Sequence, residues 1–160
     1  MIQLQGELTD ISFLCIGVVT SCFNAEVTER LEQGAFKRLK ELEVADKQII
    51  ATRVPGALEI PLATQALFEQ GCDGVVALGA VIRGETSHYD SVCEGVERGC
   101  SYLQTKYKKP VAFGVLTTEN KEQALARSGG VKGNKGVEVV NVVIEMMSLL
   151  KQVREIKKKA

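Results

Sequence analysis

One imidazole is available to this chain for proton transfer, and His88 carries it within "GAVIRGETSHYD" (residues 79–90), just past an apolar run. Gly84 permits a tight strand-to-helix turn and close approach of a ligand to the backbone. Thr86 and Ser87 suit a helix N-cap, and Ser87 and Asp90 stand at capping-box spacing. The free N–H groups of such a helix start form an anion site suited to phosphate. A phosphate held there would stand beside His88. The result is a candidate general acid or base. From this segment alone, a capped helix with an incidental surface histidine accounts for the residues equally well.

Other residues with chemical potential stand in similar surroundings. In "VPGALEIP" (54–61), Pro55 and Gly56 form a turn that exposes backbone polar groups beside the Glu59 carboxylate. A plain strand-to-helix connection would use the same residues. Phe23, in "TSCFN" (20–24), suits stacking on a planar ring or filling a core. "GGVKGNKG" (129–136) reads as a flexible helix-to-helix connection, because it lacks the order of a nucleotide phosphate loop and follows no strand. Arg127, Lys132 and Lys135 nevertheless place cations near whatever this connection faces.

Elements that would position these residues follow from the apolar pattern. The runs 12–19, 48–54, 74–82 and 110–116 are short, nearly continuous and rich in β-branched residues, as in strands buried on both faces of a parallel sheet. Between them, Val27, Leu31, Ala35, Leu39 and Leu42 mark a first helix. Leu62, Ala63, Ala66 and Leu67 give an apolar face to a second, which starts near Pro61. Val92, Val96, Leu103 and Tyr107 mark a third, and a short fourth starts near Thr118 and Glu119. Five valines before Met146 argue for a strand in the last segment. Yet Glu138, Asn141, Glu145, Ser148 and Gln152 form one polar stripe at helical spacing, and helix is the reading adopted. Its basic end (Lys151, Arg154, Lys157, Lys158, Lys159) complements the helix dipole. The initial "IQLQGEL" alternates weakly and fits an edge strand, on this sheet or a neighbour's. Alternation of this kind implies right-handed crossovers in a three-layer α/β/α domain, with helices on both faces of a four-stranded parallel sheet. In such sheets ligands bind beyond the carboxyl ends of the strands. Residues 20–24, 54–59, 83–88 and 116–120 lie at those ends and bring an aromatic, a carboxylate and the imidazole to one rim.

At 160 residues, 45% hydrophobic and 25% charged, the chain is expected to form a single domain, 1–160. Its formal charge of zero offers no overall field to recruit nucleic acid or an anionic membrane. The longest uncharged N-terminal stretch, residues 11–25, is too short and too polar to span a bilayer, and no basic residue precedes Arg30. A cytoplasmic location is expected. Five cysteines without a C-x-x-C pattern read as reduced, small apolar residues rather than a disulfide framework or a metal site.

Together, "FN" (23–24), "VPGALEIP", "GAVIRGETSHYD", "PVAFGVLTTEN" (110–120) and "NKGVE" (134–138) closely resemble the lumazine synthase family, in order and over nearly the whole chain. The resemblance implies a flavodoxin-like subunit and the penultimate step of riboflavin biosynthesis. There, 5-amino-6-(D-ribitylamino)uracil and 3,4-dihydroxy-2-butanone 4-phosphate give 6,7-dimethyl-8-ribityllumazine, phosphate and water, with no metal or organic cofactor. By resemblance, Phe23 stacks on the pyrimidine. Ala57, Leu58 and Glu59 bind the uracil and ribityl chain, and Ala80, Val81 and Ile82 line the same pocket. Glu85 and Thr86 start the helix that receives the phosphate, and His88 transfers protons. Phe113, Arg127 and Lys135 match positions that reach the site from a neighbouring subunit, with Arg127 facing the phosphate.

The family forms pentamers or icosahedral shells of pentamers; the lack of an insertion in "GGVKGNKG" favours the shell, with riboflavin synthase as a further partner. Some positions depart from the common pattern. Glu85 stands where a small residue is frequent, so its carboxylate must point away from a bound phosphate. Leu58 replaces a common aromatic, and the valines of 137–143 replace alanines. Two rival readings share the fold. A non-catalytic flavin- or lumazine-binding shell protein would need neither His88 nor Arg127. A flavodoxin-like electron carrier would want a Ser/Thr-rich phosphate loop after the first strand, of which "TSCFNAE" is a poor version.

Overall fold

The computed structural model describes residues 1–9, 11–12 and 14–156. The four apolar runs form β1 (Ile16–Ser21), β2 (Ile49–Val54), β3 (Gly74–Ile82) and β4 (Val111–Thr118), all parallel, in the order β2-β1-β3-β4. Their continuous apolarity arises because alternate side chains enter different cores. Along β3, Val76, Leu78 and Ala80 enter one, while Val75, Ala77 and Val81 enter the other. Helices α1 (Ala25–Glu41) and α5 (Lys135–Ile156) cover the first face, and α2 (Ile60–Glu69) and α3 (His88–Tyr107) cover the second. A short α4 (Lys121–Arg127) buries Ala124 in the first core. The order is flavodoxin-like, with the chain reversing its direction of travel across the sheet between β1 and β3.

The valine-rich last segment is helical because tertiary burial outweighs propensity. Val139, Val140, Val143, Ile144 and Met147 are all buried against the sheet and α1. The polar stripe is half-covered: Asn141 Oδ1 accepts from Arg38 Nε at 2.8 Å, and Ser148 Oγ accepts from the Glu7 amide at 3.2 Å. Gly136 allows α5 to meet α1, since a Cβ there would stand 2.0 Å from the Leu31 carbonyl oxygen. Gly136→Ala is therefore expected to cost about 1–3 kcal/mol, read as a lower urea midpoint with an unchanged slope.

Several sequence expectations are corrected. β1 starts at Ile16 rather than near residue 12, because Gln48 Nε2 already occupies the carbonyls of Ile11 and Leu14 at 2.6 and 3.0 Å. β4 runs on to Thr118, and α4 starts only at Lys121, where Asn120 Oδ1 accepts from the Gln123 amide at 2.9 Å. On α2 the buried residues are Ile60, Thr64, Leu67 and Phe68, whereas Leu62 is 73% exposed. Residues 129–136 are no simple connection. Strands β5 (Ser128–Gly130) and β6 (Gly133–Asn134) form a small antiparallel hairpin, with Gly129 and Gly133 at φ +112° and +80°. The initial "IQLQGEL" adds no strand to this sheet; it lies along α5, where Gln152 Nε2 donates to the Gln5 carbonyl at 2.8 Å. Lys157, Lys158 and Lys159 of the basic end lie outside the described residues.

Cys22 is exposed, while Cys72 and Cys100 are buried. Burial pushes the Cys100 thiol up to about 12; burial, followed by the hydrogen bond shared with Cys15, does the same for Cys72. At pH 8 such a thiol is thiolate to only about one part in 10⁴. Iodoacetamide at that pH is expected to label Cys22 and to spare Cys72 and Cys100 until the chain is unfolded. Peptide mass mapping reads the result.

Candidate functional site

At the carboxyl ends of β1, β2 and β3, across the β1/β3 switch point, lies a cleft of about 590 Å³. Its floor is the end of β3, where Ala80, Val81 and Ile82 line it directly. Phe23 rises from the end of β1 with 73% of its surface exposed, unlike an aromatic placed to fill a core. Two backbone bonds hold this rim: Cys22 and Phe23 donate to the carbonyls of Val54 and Pro55 at 2.7 and 3.0 Å. Asn24 then takes a left-handed conformation (φ 61°), and its Nδ2 donates to the Ala80 carbonyl at 2.8 Å. That bond ties the ends of β1 and β3 together beneath the cleft.

Beyond β2, residues Ala57–Glu59 make one 3₁₀ turn before α2. The Glu59 carboxylate accepts from the Gly56 amide at 2.9 Å, so it braces its own turn while lining the cleft. Leu58 rests on α3, with its Cδ2 2.7 Å from where a Cβ on Gly95 would stand. Gly99 makes the same room for Pro61, so the two glycines, one helical turn apart, form the groove in which this wall is seated.

Thr86 and His88 complete the lining from the start of α3, and the imidazole is exposed. The expected capping box does not form. Ser87 makes no side-chain cap, and Thr86 Oγ1 instead accepts from the His88 amide at 3.3 Å. The Asp90 carboxylate is drawn away by the Arg83 guanidinium, whose two Nη atoms reach it at 3.3 Å each. Glu85 is exposed and lies outside the cleft lining, so it leaves the helix start unobstructed.

Three candidates lie elsewhere in the chain. Arg127 and Lys135 line a separate cleft of about 410 Å³ bounded by β4 and α4, together with Gln123, Lys132 and Glu138. Lys135 Nζ donates to Glu138 at 2.9 Å, and Arg127 Nη1 donates to the Gln123 carbonyl at 3.1 Å. Phe113, on β4, is half-buried against the α2–α3 core and lines neither cleft. Asn24, Tyr89 and Val92 line the first cleft without having been singled out from sequence. Burial, then Cys93, pushes the Tyr89 hydroxyl above its ordinary value. Among the described residues, no three His, Cys, Asp or Glu side chains are grouped as metal ligands, and no helix is long and apolar enough to cross a membrane.

A model of the 6,7-dimethyl-8-ribityllumazine synthase family matches residues 14–151, a span containing both clefts. The chain belongs to this family. Relatives bearing the lumazine synthase name agree over most of its length. One from Bdellovibrio bacteriovorus is 58% identical over 138 residues, covering 86% of this chain and 76% of the relative. A Coxiella burnetii protein is 46% identical over 147 residues, covering 91% and 97%. A Pediococcus pentosaceus protein is 48% identical over 139, covering 86% and 89%. For a lumazine synthase chain, the division of candidate residues between two clefts poses a definite question of how one site is assembled.

Proposed function

We propose that this protein joins 5-amino-6-(D-ribitylamino)uracil to 3,4-dihydroxy-2-butanone 4-phosphate, giving 6,7-dimethyl-8-ribityllumazine, phosphate and water. The observation that carries the assignment to this chain is the first cleft. It combines an exposed aromatic for a planar ring, a polar 3₁₀ turn and the only imidazole on one rim. The pyrimidine stacks on Phe23, with Ala57–Glu59 holding its polar edge and ribityl chain over Ala80, Val81 and Ile82. The phosphate sits by Thr86 at the start of α3, where backbone amides favour an anion.

Chemistry then proceeds by proton transfers between held partners. The substrate amine adds to the ketone, and loss of water gives an imine. Phosphate leaves, the second amine closes the ring, and a further water departs. His88 is placed to move protons in these steps, while much of the acceleration comes from orientation.

The same proposal includes an assembly. Arg127 and Lys135 lie in the second cleft, apart from Phe23 and His88, which supports a site completed by the second cleft of a neighbouring copy. Arg127 and Lys135 of that copy would meet the bound substrates, and closed rotational symmetry would repeat the junction as a pentamer or a shell of pentamers. Mixing the purified protein with both substrates should produce fluorescent lumazine. No product above the protein-free rate would overturn the assigned reaction. Sedimentation of the same sample separates pentamer from shell, and a monomer that turns over at full rate would refute the shared site.

A further inference from the structure

Arg83 has no assigned role, yet it makes the densest set of polar contacts at the rim. Its amide donates to the Thr118 carbonyl at 2.9 Å, one step beyond the last β3–β4 partners. Its Nε donates to Glu119 at 2.7 Å, and its two Nη atoms face both Asp90 oxygens at 3.3 Å. The guanidinium also lies 4.2 Å from the centre of the Tyr89 ring. We propose that Arg83 is a positioning residue, which sets the His88-bearing start of α3 against the β4–α4 loop. The inference deepens the lumazine-forming reading and rests on it.

The local chain gives the helix start little else to fix its direction. Ser87 provides no side-chain cap, the His88 amide makes a single 3.3 Å bond to Thr86 Oγ1, and a Cβ on Gly84 would touch nothing within 4 Å. The constraint comes from Arg83, which bonds to Asp90 two residues past His88 and grips the opposite loop through Glu119. Only a planar fork with several donors can serve two carboxylates and lie over a ring at once. The contacts continue: the Glu119 amide donates to Gln123 Oε1 at 2.9 Å, and the Gln123 carbonyl accepts from Arg127 at 3.1 Å. One chain of contacts therefore runs from the helix that carries His88 to the cation of the second cleft. Exposed ion pairs of this kind contribute little to stability. Their loss should therefore appear in geometry rather than in folding.

The test uses Arg83→Gln, Arg83→Lys and Glu119→Gln in the intact assembly, with steady-state kinetics, thermal midpoints and hydrogen exchange. A displacement of about 1 Å at the reacting groups can cost about 10²-fold, so Arg83→Gln is expected to lower kcat by about tenfold or more. KM for the pyrimidine and the thermal midpoint should stay near parental values. Arg83→Lys should recover only part of the loss, and Glu119→Gln should produce a smaller loss in the same sense. Parental kcat in Arg83→Gln overturns the proposal. A rise confined to KM for the phosphate substrate also overturns it, by making Arg83 a binding group. So does a fall in kcat that merely tracks the thermal midpoint. Hydrogen exchange of residues 84–90 needs no turnover and should quicken in Arg83→Gln; unchanged exchange refutes the positioning role whatever the parent protein catalyses. Failure of the parent to form lumazine refutes the reaction instead, and is seen before any variant is made.

Discussion

His88→Ala is expected to slow turnover at saturating substrates by about 10²–10⁴-fold, the range of a positioned acid–base group, without abolishing it. The chain has no second histidine to take over the proton transfers. The imidazole stands at the rim with Thr86, facing the cleft that Phe23 and Glu59 also line. What remains in the variant is orientation: both partners are still held face to face, and that part of the acceleration needs no imidazole. The loss should therefore appear in kcat while KM for the pyrimidine stays close to parental. Rates measured by lumazine fluorescence across pH 5–9 check this, and a variant as fast as the parent at every pH would remove His88 from the mechanism.

Arg127→Ala is expected to raise KM for the phosphate substrate by about 10–100-fold, the loss of one or two charge-assisted hydrogen bonds. The effect on the pyrimidine should be much smaller. Lys135 is paired with Glu138, whereas the Arg127 contact is to a neutral backbone carbonyl, so Arg127 keeps its charge for a ligand. Equal losses for both substrates would count against a phosphate contact. Because Arg127 and His88 lie in different clefts, the two variants also test the assembly. Co-assembly of His88→Ala and Arg127→Ala chains should restore parental sites at junctions that combine the intact clefts, about a quarter of the total on random mixing. No recovery in a verified mixed assembly would place both residues in the same subunit's site.

Much of the first cleft could be read along the chain because each of its walls begins where a strand ends. The "VPGALE" turn and the "RGETSH" segment carry their polar residues directly after apolar runs, and the structure sets both at the same rim. Phe23 was ambiguous by itself, since an aromatic at a strand end suits either a core or a ligand. Its exposure shows only that it does not fill this chain's core. The place of Arg83 is not legible along the chain, because its partners Asp90 and Glu119 are 7 and 36 residues away and converge only after β3 and β4 pair. The capping box failed for the same reason. Ser87 and Asp90 have the right spacing, but a guanidinium from the preceding strand end competes for the carboxylate.

By itself the sequence determined the four strands, their parallel character and the polar segments that follow them, though not where β1 starts or β4 ends. A strand buried on both faces carries its signal in its own composition, whatever its partners. It also determined the family, through motifs spread along nearly the whole chain. The polar stripe already marked the valine-rich last segment as helix, and tertiary structure supplied the reason it holds: burial between α1 and the sheet outweighs a local preference of a few tenths of a kcal/mol per residue. Tertiary structure alone decided that residues 128–134 form a hairpin, and that Arg127 and Lys135 stand in a different cleft from His88. Those outcomes depend on which elements become neighbours in the order β2-β1-β3-β4, and spacing along one chain does not encode neighbours across a sheet.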